Sequence, residues 1–128
     1  MTAKLSKSAA IAKIKQSSGT SLHNSTTHFA NLNSSKSVWW FDIPAEKFTA
    51  GKHNALDILV FSDETNELHH LRVPTAYVRE NRERFHVRED KNSLSLELSS
   101  ELNNRFQDVR PTSGRMPFAQ FLLGTISL

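Results

Sequence analysis

Asp57, His70 and Arg72 are the residues whose types suit acid–base or anion chemistry and whose spacing can bring them together. Ala55–Phe61 and Leu68–Val73 read as two strands joined by a turn at Asp63-Glu64-Thr65-Asn66. If four residues form that turn, Ser62 pairs with Glu67, and Leu56, Ile58 and Val60 share a face with Val73, Leu71 and His69. The other face then carries Asp57, Leu59 and Phe61 against Arg72, His70 and Leu68, with Asp57 directly opposite Arg72. A slip by one residue would mix apolar and polar side chains on both faces, so this register is preferred. The cluster could hold an anion or relay a proton. A cross-strand ion pair is the simpler reading, because structural pairs also populate sheets.

Other chemistry is weakly encoded. The six histidines are His23, His28, His53, His69, His70 and His86, and no two stand at the i,i+4 spacing that places a metal-binding pair on one helix face. His69 and His70 are adjacent in a strand and point to opposite faces. No metal and no cofactor is expected. The divided-carboxylate nuclease pattern needs an acid–x–lysine on the second strand, and Glu67-Leu68-His69 lacks the lysine. Four glycines leave little room for a phosphate-cradling loop, and no serine sits in a nucleophile elbow.

Charge is distributed unevenly. Lys4, Lys7, Lys13, Lys15 and Lys36 have no acidic residue before Asp42 to neutralise them. The 87 residues after position 41 hold 11 basic and 13 acidic side chains. A basic front on a near-neutral body is a common way to hold a polyanion. Arg72, Arg79, Arg82, Arg84 and Arg88 also crowd together, interleaved with Glu80, Glu83, Glu89 and Asp90, as in a solvated face laced with ion pairs. Within that run His86 and Arg88 share one strand face, and Arg82 has no acid four residues away to offset it. Lys4, Lys7, Lys13, Lys15, Arg72, Arg82, His86 and Arg88 are therefore the candidate anion or nucleic-acid contacts.

Val38-Trp39-Trp40-Phe41 is apolar on both faces of one strand, with Val38 and Trp40 opposite Trp39 and Phe41. Either the strand is covered on both sides or one tryptophan faces a partner. A second apolar set, Phe118, Phe121, Leu122 and Leu123, runs on through Ile126 to Leu128. A small domain has limited interior, so Trp39, Trp40, Phe118 and Phe121 are the expected contacts of a homodimer.

The elements that would position these residues form one α+β domain over 28–128, preceded by a basic Ser/Thr-rich arm over 1–27. Residues 4–16 can form a weakly amphipathic helix, and 17–28 read as a linker. About five to six strands over 29–98, mostly joined by short turns, predict a largely antiparallel sheet packed by helices. The strands are a possible one at Phe29–Asn33, Val38–Ile43, the Ala55/Leu68 hairpin, and a second hairpin of Phe85–Glu89 and Ser93–Leu98. Leu94, Leu96 and Leu98 point inward there, with Ser93, Ser95 and Glu97 outward. Helices are expected from Thr75 to about Arg84, with Arg79–Glu83 and Glu80–Arg84 pairs, then over Glu101–Val109, then in a closing segment bearing Phe118, Phe121 and Leu122. With few large apolar groups to offset ordering entropy, the residues before about Thr26 should be mobile or docked only in an oligomer, and deleting 1–24 should leave the melting temperature nearly unchanged.

The absence of cysteine excludes disulfides and thiolate metal sites and fits a reducing, cytoplasmic compartment. No apolar run reaches membrane-span length, and the front of the chain lacks the apolar core of a secretory signal. The leading expectation is a small non-enzymatic binding module taking nucleic acid through the lysine arm and the Arg72–Arg88 region. With no base-reading motif, such binding should be backbone-driven and salt-sensitive. The rival is a protein-interaction or homo-oligomeric module using the Trp39/Trp40 strand, and the third reading is an enzyme with a dispersed site near Asp57, His70 and Arg72.

Overall fold

A computed structural model describes residues 4–111 and 113–128. Two β-sheets face each other across the main core. The first has the order β1 (Thr27–Asn31), β3 (Ala55–Ser62), β4 (Glu67–Pro74), β7 (Leu122–Ser127). The second has the order β2 (Val38–Pro44), β6 (Ser93–Ser99), β5 (His86–Arg88). All pairings are antiparallel except β1 with β3, which the chain reaches by crossing to the second sheet through β2 and back. The α+β class and the antiparallel predominance match expectation. The strands, however, divide between two layers.

The preferred hairpin register holds along its whole length, from Ala55 opposite Pro74 to Ser62 opposite Glu67. Both hairpins are closed by asparagines in the left-handed region, Asn66 (φ 56°) and Asn92 (φ 48°), a conformation this side chain tolerates better than most. Leu56, Ile58, Val60, Leu71 and Val73 line the inner face of the first sheet. They meet Trp39, Phe41, Ile43, Leu94, Leu96 and Leu98 from the second. Leu59, Phe61 and Leu68, on the reverse of the first sheet, form a separate core.

That second core is closed by α1 (Lys7–Ser18), so the front of the chain is docked within the single chain, contrary to the mobile arm expected. The helix starts at Ser6, whose hydroxyl accepts the Ala9 N–H at 3.1 Å. It stops at Gly19, where φ is 75° and the N–H returns to the Lys15 carbonyl. Ala10 and Ile14, one turn apart, rest on the sheet, with Leu5, Ile11 and Leu22 beside them. Leu5 and Asn31 exchange two hydrogen bonds, at 3.0 and 2.9 Å, tying the helix entry to β1. The apolar face is narrow, but the surface it covers is not, which is why periodicity alone understated it.

Three helical expectations fail. The Thr75 helix, α2, ends at Glu80 and continues only as a 3₁₀ turn over Arg82–Arg84. Neither the Arg79–Glu83 nor the Glu80–Arg84 pair forms among the described residues. In Glu101–Val109 only Leu102–Asn104 turns, as 3₁₀. There Phe106 is drawn into the core at φ 67°, stacked on Trp39 with ring centroids 5.7 Å apart. A bulky residue at positive φ cannot continue a helix. The closing segment makes one 3₁₀ turn at Ala119–Phe121 and then becomes β7, because pairing with β4 satisfies backbone groups that a two-turn helix would leave open.

Among the described residues no helix is long and apolar enough to cross a membrane.

Candidate binding face on the three-stranded sheet

The layering decides where each polar candidate lies. α1 covers the outside of the first sheet, and the second sheet turns its own outer face to solvent. The lysines of α1 therefore lie on the opposite side of the molecule from His86 and Arg88. Lys4, Lys13 and Lys15 are exposed. Lys7 is partly buried, and its Nζ donates to the Asn24 carbonyl at 2.8 Å. Burial and the charge of Lys47 lower its pKa. The two basic groups expected to act together do not form one surface.

The outer face of the second sheet is set by alternation. Trp40, opposite Glu97, is 56% exposed, whereas Trp39, one residue earlier, is 1% exposed and donates its Nε1–H to the Phe61 carbonyl at 3.0 Å. Trp40 is not loose. Its Nε1–H reaches Ser95 Oγ at 3.3 Å, so the indole lies along the sheet with a broad side to solvent. This contact also covers Ser95, which points outward as expected and yet is fully buried. Ser93 is covered in the same way by its 2.6 Å hydrogen bond to Asp42.

Around Trp40 lies a hollow of about 430 Å³ bordered by Asn33, Lys36, His86, Glu97 and Arg110. Most charge here is already matched. Arg110 meets Glu97 at 3.5 Å, and Arg88 reaches Asp42 at 3.2 Å and Asp90 at 3.4 Å. Beneath the Glu97–Arg110 pair, Asp108 is fully buried and accepts the N–H groups of both residues, at 3.1 and 3.3 Å. Burial nevertheless pushes its carboxyl up, and its second oxygen has no hydrogen-bond partner among the described residues. Lys36 is exposed and outside these ion pairs.

Asp57, His70 and Arg72 do converge, on the α1 side of the first sheet. His70 Nε2 and Arg72 Nε both bond Asp57 Oδ1, at 2.7 and 2.9 Å. Burial alone would raise this carboxyl, but the hydrogen bonds and charges of His70 and Arg72 outweigh it and hold the pKa low. His70 also lines a cavity of about 170 Å³ beside Gly124, which faces it across the β4–β7 ladder. Ser18, which also lines this cavity, is committed to the Ile14 carbonyl, and no described hydroxyl bonds His70. The geometry is that of a cross-strand ion pair, and among the described residues no hydroxyl or second carboxylate is hydrogen-bonded to it.

Arg82 is exposed on its 3₁₀ turn. Of the expected interface residues, Phe118 is core, and Phe121 is half-buried against Tyr77 at 4.8 Å between centroids. Among the described residues no three His, Asp or Glu side chains gather as a metal site. The exposed indole was half legible in sequence. The Trp-Trp pair marked the strand, but which ring faces out depends on the partner layer. The meeting of Lys36, Glu97 and Arg110 carried no signal, since only pairing of β2 with β6 and the return of the 105–111 loop bring them together. No family model, curated protein or solved structure matches the chain.

Proposed function

We propose that the protein is a non-enzymatic binding module that takes single-stranded nucleic acid on the outer face of its second sheet, with Trp40 as the stacking platform. The observation that carries this reading is a tryptophan 56% exposed and pinned by its own N–H on a polar sheet face. A fixed indole loses little entropy when a base stacks on it, and such stacking contributes about 1–3 kcal/mol per base irrespective of sequence. Lys36 supplies a phosphate contact, and Arg110, His86 and Asn33 supply donors at the rim of the hollow.

The charge census modifies the backbone-driven binding anticipated from the sequence. Arg88 and Arg110 already serve carboxylates, so few phosphates are neutralised and stacking dominates. The affinity should fall with salt with a logarithmic slope near −0.7 per phosphate, for about one or two phosphates. The test is titration of an oligothymidylate, followed by tryptophan quenching and by anisotropy of a labelled strand. Trp40→Ala should weaken binding about tenfold to a hundredfold. Unchanged affinity in that variant, or a steep salt slope abolished by substituting Lys4, Lys13 and Lys15, would remove the Trp40 face from the reading.

A second reading, self-association, is favoured by β7. It is an edge strand without a charged residue or proline, and Leu122 and Leu123 are 39% and 58% exposed. Edges left this open pair readily with another strand, most simply with a twofold copy. Leu123→Lys should then shift a dimer mass to a monomer mass in light scattering at about 100 μM. A monomer mass for the unmodified chain at that concentration removes this reading.

A further inference from the structure

A cavity of about 290 Å³ opens between the Ala45–Phe48 turn, α2 and the inner side of the β5–β6 pair. Its lining is apolar, with Phe48, Val78, Val87 and Leu94, and no acidic residue contributes to it. Arg79 and Arg82, both exposed, complete the wall and so stand at its mouth. Arg79 is held there, with Nη1 donating to Thr75 Oγ1 at 2.9 Å and to the Phe48 carbonyl at 3.2 Å. The Arg82 guanidinium has no hydrogen bond or ion pair with any described side chain.

Two arginines without carboxylate partners among the described residues, beside an apolar, concave wall, are a specific combination. An apolar hollow with a few convergent polar groups is the usual form of a small-molecule site, and its volume lies at the small end of such sites. A guanidinium pairs with carboxylate oxygens through parallel N–H donors, and it does so more strongly when water is excluded from one side. A neutral or cationic ligand would forgo that pairing, and a cation would also meet two like charges. Phosphate-rich ligands fit poorly, since most of the wall offers them nothing. The geometry points to a ligand site for a small amphipathic monoanion, a carboxylate on an unbranched or aromatic apolar body of about ten non-hydrogen atoms.

This site is independent of the Trp40 face. Val87 and Leu94 pack on the core side of the second sheet, whereas Trp40 lies on its solvent side.

The experiment is calorimetric titration of the intact chain with sodium n-alkanoates from butanoate to decanoate, with octanol and octylammonium as the uncharged and cationic probes. Each added methylene should tighten binding about fourfold until the cavity is full, after which the gain should stop. Octanoate should bind with a Kd on the order of 100 μM, and at least about tenfold more tightly than octanol or octylammonium. Arg82→Gln should lose about tenfold in octanoate affinity, and octanol binding should be unchanged. The exposed, unpartnered Arg82 makes this variant safe for folding, which circular dichroism verifies. Trp40→Ala should leave octanoate affinity unaltered, separating this site from the sheet face. Equal affinity for octanoate and octylammonium, an unaffected Arg82→Gln variant, or no saturable binding up to about 5 mM would overturn the assignment.

Discussion

Replacing Ile14 by alanine should lower the unfolding free energy by about 3 kcal/mol, although it lies in the basic, alanine-rich front of the chain. Ile14 is 2% exposed and lies with Ala10 on Leu59, Phe61 and Leu68. Truncating a buried isoleucine removes its transfer free energy and leaves a cavity, together costing about 2–5 kcal/mol. In a domain of this size that corresponds to a melting temperature lower by about 10 °C. Deleting residues 1–24 should do far more. It strips the cover from Leu59, Phe61 and Leu68, each worth about 1.5–3 kcal/mol when buried. It also leaves Asn31 without its two hydrogen bonds to Leu5. The sum approaches the ~5–15 kcal/mol of a whole domain, so the shortened chain should unfold or aggregate. Lys13→Ala and Lys15→Ala are the controls, since both side chains are exposed and should change stability by less than about 0.5 kcal/mol. Urea unfolding followed by circular dichroism measures all four. A deletion variant that melts with the intact chain, or an Ile14→Ala variant within about 1 kcal/mol of it, would refute the docking argument and restore the mobile arm.

Three further outcomes follow from buried polar groups. Burial first, and then the charges of Lys7 and Lys47, push His28 down to about 4, and its Nε2 has no partner among the described residues. An unfolded chain takes up this proton near pH 6.5 while the folded chain does not, so the contribution is complete above that pH and is lost on acidification towards pH 4. Urea midpoints across this range should reveal about 2 kcal/mol of acid destabilisation that His28→Gln abolishes, and an unaltered profile in that variant would count against it. Asp108→Asn should leave stability at neutral pH within about 1 kcal/mol, since the amide oxygen still accepts the Glu97 and Arg110 N–H groups, whereas Asp108→Ala should cost about 2 kcal/mol by orphaning them. Equal losses from the two, by thermal melting, would contradict this. Thr27 is fully buried in β1 and its hydroxyl has no partner among the described residues, so Thr27→Val should stabilise by about 1 kcal/mol, and a lower melting temperature would show that the hydroxyl has a partner.

The tests of Trp40 and Arg82 bear on different surfaces, and the sequence pointed to them unequally. Arg82 stood out because it had no acid four residues away, and in the fold its guanidinium forms no ion pair with a described side chain. Trp40 stood out only as one of two adjacent rings. Of the basic front, Lys7 became structural through Asn24, Lys13 and Lys15 were placed on the far side of the molecule by the helix that carries them, and Lys36 stands at the Trp40 hollow.

What the sequence determined by itself was whatever depends on neighbours along the chain. Period-two alternation through Ala55–Val73 sufficed for the β3–β4 register, because a slip by one residue would turn every aliphatic side chain to the wrong face. It thereby placed Asp57 opposite Arg72. A helix in the front of the chain was legible over 4–16, and its caps, Ser6 and Gly19, set it at Lys7–Ser18. The tertiary structure alone decided everything that turns on which surfaces meet. Alternation states that Trp39 and Trp40 oppose one another, but not that β2 leaves the sheet of β1 and β3 to pair with β6. That choice buries Trp39 against Phe106 and leaves Trp40 to solvent. The same holds for the segments misread as helices. Glu101–Val109 and the closing residues have weak local preference, and non-local ladders with β6 and β4 supply backbone hydrogen bonds that an isolated short helix could not keep. Local propensity contributes tenths of a kcal/mol per residue, whereas burying a single large side chain contributes about 1.5–3 kcal/mol. Where the two disagree in this chain, burial prevails.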